Sequence, residues 1–253
     1  RVTAGFNPMP FPKLDEENPN VYFSMGITAE NVAKKYNLSR KEQQDFSISS
    51  HEKAAIAQKN GKFENEITKI NNCFKDGGIR PETNQKVLDG LKLAFDQKGT
   101  ITAGTSSPLT DGAATTLICE EQYAKDNNLD ILARIISTSV QGCAHELMGL
   151  GPIGASQKAL KRAKLSIKDI DIVELNEAFA SQSLACINDL GIDKNKVNLD
   201  GGALALGHPL GATGARITGK AAEILRRENK KYALTTQCIG LGMGIATVIE
   251  TVN

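Results

Sequence analysis

The 253-residue chain carries 30 Lys and Arg against 29 Asp and Glu, a net charge of +1, with 40% hydrophobic and 23% charged residues, which is ordinary for one large or two modest globular domains. This balance argues against nucleic acid or an anionic membrane as main partner, since both demand a basic surface, and no apolar run approaches the roughly 20 residues of a membrane span. Five scattered cysteines without a CxxC pair and three dispersed histidines argue against a metal centre or a disulfide framework and fit a reducing compartment, by default the cytoplasm.

The chain starts at Arg1 with no leader pattern and reads as processed or truncated. Residues 1–24, rich in Pro and Asn (Pro8, Pro10, Pro12, Pro19), read as extended loop. A helical pattern begins near Thr28 and pauses at Asn37-Leu38. Ser39-Arg40-Lys41-Glu42 has capping-box spacing and predicts a helix to about Lys59, stopped by Asn60-Gly61. Residues 62–100 are polar and turn-rich, a surface region with little core of its own. A short strand is predicted over 100–102, a loop of small residues over 104–108, a buried strand over 113–119 and a helix over 120–127. From Ile131 the pattern alternates: strand 131–140, helix 154–164, strand 171–175, helix 177–190, strand 197–199, helix 212–228, strands 232–238 and 244–251. Such alternation implies an α/β layered domain with a largely buried sheet. There is no repeat of 20–50 residues.

Three stretches carry chemistry. In Asp200-Gly201-Gly202-Ala203-Leu204-Ala205-Leu206-Gly207-His208-Pro209-Leu210-Gly211-Ala212-Thr213-Gly214, small residues let the backbone approach a ligand, and His208 stands just ahead of a helix N-terminus suited to an oxyanion. A Gly-rich turn with an incidental His is the plainer alternative. In Leu175-Asn176-Glu177-Ala178-Phe179-Ala180 a strand ends and a helix begins, where α/β sheets usually bind ligands. Asn176 is there an N-cap or an amide that holds a water or an oxyanion. In Cys238-Ile239-Gly240-Leu241-Gly242-Met243-Gly244, the usual role would be a buried structural cysteine. Alternating glycines instead suggest an exposed thiol beside free N–H donors. A thiol titrates near pH 8.5 unperturbed, so a neighbouring His or dipole could make it a usable base.

Together these three motifs resemble the thiolase family, and the resemblance covers essentially the whole chain. It runs from Met25-Gly26-Ile27-Thr28-Ala29-Glu30 through Ile79-Arg80-Pro81-Glu82-Thr83 and Thr102-Ala103-Gly104-Thr105-Ser106-Ser107 to the motifs above. It implies a thiolase-like layered α/β fold, a mixed β-sheet packed between helices, with an irregular α-rich loop subdomain. Residues 1–109 would be part of that CoA-contacting subdomain, 110–130 a remnant of the N-terminal domain, and 131–253 the C-terminal domain. By the same resemblance His208 activates a nucleophilic cysteine and stabilises a thioester enolate, and Cys238 removes or returns the α-proton. Asn176 holds a water in the oxyanion hole it shares with His208, and the Gly240 N–H serves a second hole. The implied coenzyme A contacts are Arg80 at the adenine end, Ala103, Ser106 and Ser107 along the pantetheine, and Phe95 and Met148 at the thioester end. Ala178 and Phe179 of the NEAFA phrase join this substrate-binding set.

The implied substrates are CoA and acyl-CoA, with no covalently bound cofactor and no metal. The family implies a homo-oligomer, dimer or tetramer, and a possible β-oxidation partner subunit. Biosynthetic members carry a His immediately before the Met-Gly of MGxTAE. Here Ser24 stands there, and the other phrases lean towards degradative members cleaving 3-ketoacyl-CoA to acetyl-CoA and a shortened acyl-CoA. Cys73, Cys119, Cys143 and Cys186 read as structural or incidental, and none matches the acyl-accepting motif. The resemblance puts that cysteine in an N-terminal half preceding this chain, so the chain alone is expected to be inactive. The alternatives are an acetyl-CoA C-acetyltransferase making acetoacetyl-CoA, a non-catalytic acyl-CoA or lipid binder, and a decarboxylating condensing enzyme. The last would carry a second His or Asn where this chain has Cys238.

Overall fold

The structure, a computed structural model, describes residues 10–252. In chain order its helices are α1 (Pro12–Glu17), α2 (Met25–Lys35), α3 (Arg40–Lys59), α4 (Gln85–Asp89), α5 (Glu121–Asp126), α6 (Gly151–Ala163), α7 (Ala180–Leu190), α8 (Ala203–Leu206) and α9 (Thr213–Arg227). Its strands are β1 (Arg134–Gly142), β2 (Ile172–Leu175), β3 (Tyr232–Ile239) and β4 (Met243–Glu250).

Local chemistry sets several of these ends. Ser39 Oγ accepts from the Glu42 N–H at 3.2 Å while the Glu42 carboxylate accepts from the Ser39 N–H at 2.8 Å. The predicted capping box therefore opens α3 at the predicted residue. Ser24 caps α2 by accepting from the Ile27 N–H at 3.4 Å.

The sheet runs β1-β4-β3-β2, with β2 parallel to β3 and the other neighbours antiparallel. Side-chain alternation decides which helix each face meets. Val173, Leu175, Leu234, Ala246 and Val248 point to α6 and α7, where Ala155, Ala159, Ile187 and Leu190 receive them. Ile172, Ala233 and Ile249 point the other way, onto Ala221, Ile224 and Leu225 of α9. Each fully buried aliphatic side chain contributes about 1.5–3 kcal/mol, and both faces are covered, as the layered α/β reading requires. Val32 and Ala33 of α2, with Leu38 just beyond its end, then pack against Leu184 and Ala185 of α7. No helix among the described residues is long and apolar enough to cross a membrane.

Several predicted elements take a different form. Residues 113–119 are not a buried strand. They are irregular and exposed, with Leu117 at 78% and Ile118 at 68%. Their composition suits a strand, but a strand forms only with a ladder partner, and the described sheet does not include this segment. Residues 100–102 make a single bridge, Leu93 with Thr102, because the Glu30 carboxylate takes the N–H groups of Thr100 at 2.9 Å and Ile101 at 3.0 Å. The strand over 197–199 reduces to one parallel bridge between Val173 and Val197. Beyond it the Asn198 side-chain amide bonds both the N–H and the C=O of Leu175, each at 2.9 Å, standing in for a strand's backbone. Residues 10–24 hold α1 and a 3-10 turn at Pro19–Tyr22 rather than loop alone. Residues 1–9, the rest of that predicted loop, lie outside the described residues.

Candidate active site

Asn176 and Cys238 leave or end the neighbouring parallel strands β2 and β3 at their carboxyl ends. The Asn176 N–H continues the ladder to Thr236 O at 2.9 Å, and its side chain is fully buried. Asn176 is not an N-cap. Residues 176–179 stay extended because Phe179 bridges Ser106 and the Ser107 N–H donates to Ala178 O at 3.0 Å, so α7 starts at Ala180, three residues later than predicted.

His208 lies on the turn between α8 and α9. Its Nδ1 is 2.7 Å from Thr213 Oγ1, which itself donates to Pro209 O at 3.0 Å. With the threonine proton committed to that carbonyl, the imidazole proton is assigned to Nδ1 and Nε2 carries a lone pair. Asn176 Nδ2 stands 3.3 Å from that Nε2, while Asn176 Oδ1 is buried with no protein partner among the described residues. Burial, and then the positive Arg216, push the His208 pKa below its ordinary value. The ring is thus neutral near pH 7 and able to accept a proton at Nε2.

Glu177, which the motif reading passed over, holds this loop in place. Its fully buried carboxylate accepts from Ser50 Oγ at 2.6 Å, Asn198 Nδ2 at 2.7 Å and the Leu204 N–H at 3.1 Å. It thereby ties α3, the Asn198 turn and α8 together directly behind Asn176. Gly202 is required beside it, since a Cβ there would overlap the carboxylate. Asp200, also fully buried, anchors the front of the same stretch. Burial opposes its charge, but Arg227 in a two-pronged pair at 2.7 and 3.0 Å, with Lys220 at 3.3 Å and Lys62 at 3.5 Å, holds its pKa low. Glu177 was readable as part of NEAFA; its partner Ser50 left no sequence signal.

Cys238 is 8% exposed and packs against Met148 and Ala178, with Met25 and Phe179 alongside. The prediction that the glycines expose the thiol is therefore corrected. They shape the turn, while Met148 from the 3-10 segment His145–Leu150 covers the sulfur. Burial pushes the Cys238 pKa up to about 12. Gly240 is exposed, with open space beyond its α-carbon. Phe95, 42% exposed, sits edge-on to Phe179 at 5.9 Å between ring centroids. The fold thus gathers Phe95, Ser106, Ser107, Met148, Ala178 and Phe179 into one wall around Cys238. Arg80 and Ala103 are exposed, and the Arg80 backbone N–H donates to His51 Nδ1 at 3.1 Å. Cys186 is buried in the α7 core and Cys143 half-buried, whereas Cys73 and Cys119 are exposed.

Residues 129–251 match the family described as Thiolase, C-terminal domain, and residues 17–122 that described as Thiolase, N-terminal domain. The chain belongs to the thiolase family. It is 48% identical over 239 residues to the 3-ketoacyl-CoA thiolase of Vibrio vulnificus (strain CMCP6), covering 89% of this chain and 62% of that protein. Among solved structures it is similar to human mitochondrial 3-ketoacyl-CoA thiolase in complex with CoA. That match has a TM-score of 0.88 and 38% identity, covering all of this chain and 65% of the other. A Bacillus anthracis acetyl-CoA acetyltransferase superposes with a TM-score of 0.87 and 39% identity, over 91% of this chain and 60% of the other. This thiolase chain spans about three fifths of the length of the curated relatives it matches. Its layered α/β fold, a mixed four-stranded sheet with helices, accordingly matches those thiolase structures.

Proposed function

We propose that this chain supplies the acid–base and oxyanion side of a 3-ketoacyl-CoA thiolase of fatty acid degradation, an acyltransferase using CoA and acyl-CoA as substrates with no covalently bound cofactor. The observation that carries the reading is the Asn176–His208 pair, backed by Glu177 and next to the wall around Cys238. In thiolysis a cysteine thiol gives its proton to His208 Nε2 and attacks the C3 carbonyl. The C2–C3 bond breaks, and its electron pair becomes an enolate held by imidazolium His208 and by a water on Asn176. The Cys238 thiol protonates that enolate to acetyl-CoA. The resulting thiolate takes the proton of incoming CoA, whose sulfur accepts the acyl group; the released cysteine recovers its proton from His208. A buried Cys238 that stays protonated suits the donor role in this step. The Gly240 N–H would serve the thioester oxygen of the acyl-enzyme.

On this reading the acyl-accepting cysteine comes from outside these residues, and the chain alone is inactive. Residues 1–109 form part of the CoA-contacting subdomain, 131–253 the C-terminal domain, and 110–130 a piece of the N-terminal domain. The exposed segment 113–119 supports this last assignment, because its strand-type sequence has no ladder partner among the described residues. Arg80, Ala103, Ser106, Ser107, Phe95, Met148, Ala178 and Phe179 are the proposed CoA contacts. The reading extends to a homo-oligomer, to a β-oxidation partner subunit and to the cytoplasm. The test is turnover of 3-ketoacyl-CoA substrates of increasing chain length by the full-length gene product, with acetyl-CoA quantified. Cleavage of medium chains supports the proposal, cleavage of acetoacetyl-CoA alone supports an acetyl-CoA C-acetyltransferase, and binding without cleavage supports a non-catalytic relative.

A further inference from the structure

Cys238 sits one residue before the end of β3, and Gly240 opens the turn from β3 to β4. Leu241 takes φ +68° and Gly242 φ +85°. Left-handed pairs are usual in a tight hairpin closed by its own ladder, but a leucine there is strained and takes further constraint from its surroundings. The Leu241 side chain is 55% exposed, so its own packing does not supply that constraint. The support comes from the segment after β1. The Cys143 N–H donates to Gly242 O at 2.8 Å, and His145 Nδ1 stands 2.7 Å from Leu241 O. A carbonyl only accepts, so His145 carries its proton on Nδ1. The fit is close: a Cβ on Gly242 would lie 2.7 Å from Cys143 O and 2.9 Å from His145 Nδ1. His145 also heads the 3-10 segment His145–Leu150, whose Met148 is buried against Cys238.

We propose that His145 is a positioning residue for Cys238, latching the Gly240-Leu241-Gly242 turn to the segment that covers the sulfur. Its catalytic meaning rests on the thiolase reading above; the latch itself does not. What it needs is a donor at that distance. An asparagine amide can supply one, and an alanine cannot.

The test is peptide-resolved alkylation of the chain by iodoacetamide, comparing wild type, His145→Ala and His145→Asn. Losing one hydrogen bond from the latch is expected to speed modification of Cys238 about fivefold in His145→Ala. Cys186, in the α7 core, is expected to keep its wild-type rate, and His145→Asn to restore Cys238. An unchanged Cys238 rate in His145→Ala overturns the proposal. So does parallel acceleration of Cys186, which reports general loosening, or a failure of His145→Asn to restore. In the full-length gene product, kcat for thiolysis is expected to fall in His145→Ala and recover in His145→Asn, with KM for CoA held within about twofold; an unchanged kcat overturns the catalytic part. Alkylation needs no turnover, so a wild-type protein without thiolase activity would sink the functional reading and leave the latch standing.

Discussion

Asn176 Nδ2 meets His208 Nε2 at 3.3 Å although 32 positions separate the two residues in the chain. Each is fixed from behind: Asn176 by its ladder bond to Thr236, His208 by Thr213. Neither has to reorganise to present its polar atoms at the same point, and such preorganisation is where oxyanion stabilisation comes from.

Asn176→Ala in the full-length gene product is expected to lower kcat for thiolysis by about 10²–10³-fold, the usual effect of losing one oxyanion-hole group. KM for CoA should change little, because the amide acts on charge that develops during reaction. A change confined to KM would place Asn176 in ground-state binding instead.

The lowered pKa of His208 has a definite sign. The folded state holds the ring neutral below the ordinary titration point near 6.5, so the acid limb of kcat/KM should fall below that pH. Because the unfolded ring binds a proton more readily, this group's contribution to stability is present above about pH 6.5 and is lost as pH falls through that range. Replacing Thr213 with Val removes the acceptor that selects the tautomer, and kcat should drop while the fold persists by circular dichroism.

Glu177→Ala leaves Ser50, Asn198 and the Leu204 N–H without their acceptor in the interior. The expected cost is about 3 kcal/mol, read from the urea midpoint. A midpoint shift close to zero would show that the loop behind His208 is held by something else.

Glu174, two residues before Asn176 on β2, is buried, and Oε1 has no protein partner among the described residues. Burial, only partly offset by Arg216 and Lys220, raises its pKa to about 8. The folded state then binds a proton that the unfolded state releases above about pH 4.5, so stability falls as pH rises from there through 8. Glu174→Gln should therefore raise Tm more at pH 8 than at pH 5; an equal change at both would mean that the carboxylate is already ionised.

How much of this was legible in the sequence depends on whether a residue's partner is local. Ser39 and Glu42 sit one turn apart, and the capping box announced α3 at the correct residue. The strand–helix alternation from Ile131 onward followed from the apolar period, since β2, β3 and β4 bury both faces, one against α6 and α7 and the other against α9. The 113–119 segment was misjudged because its residue types describe a strand, whereas a strand also needs a neighbour that no local pattern supplies. Residues 100–102 and 197–199 failed differently: the side chains of Glu30 and Asn198 intercept backbone groups that a ladder would use. Cys238 was placed at the correct turn with the wrong exposure, because Met148, which covers it, arrives from 90 residues earlier. Glu177 lay in plain view beside Asn176, but its purpose appears only once Ser50 and Leu204 are brought to it.

The most direct test of the whole account is intact-mass analysis of the full-length gene product carrying Cys238→Ala, incubated with a medium-chain acyl-CoA and assayed in parallel for cleavage of the matching 3-ketoacyl-CoA. The account predicts that the acyl adduct on the nucleophilic cysteine still forms while carbon–carbon cleavage is lost, because His208 and Asn176 remain and the proton donor is gone. Loss of the adduct together with cleavage, or cleavage that survives the substitution, would contradict it.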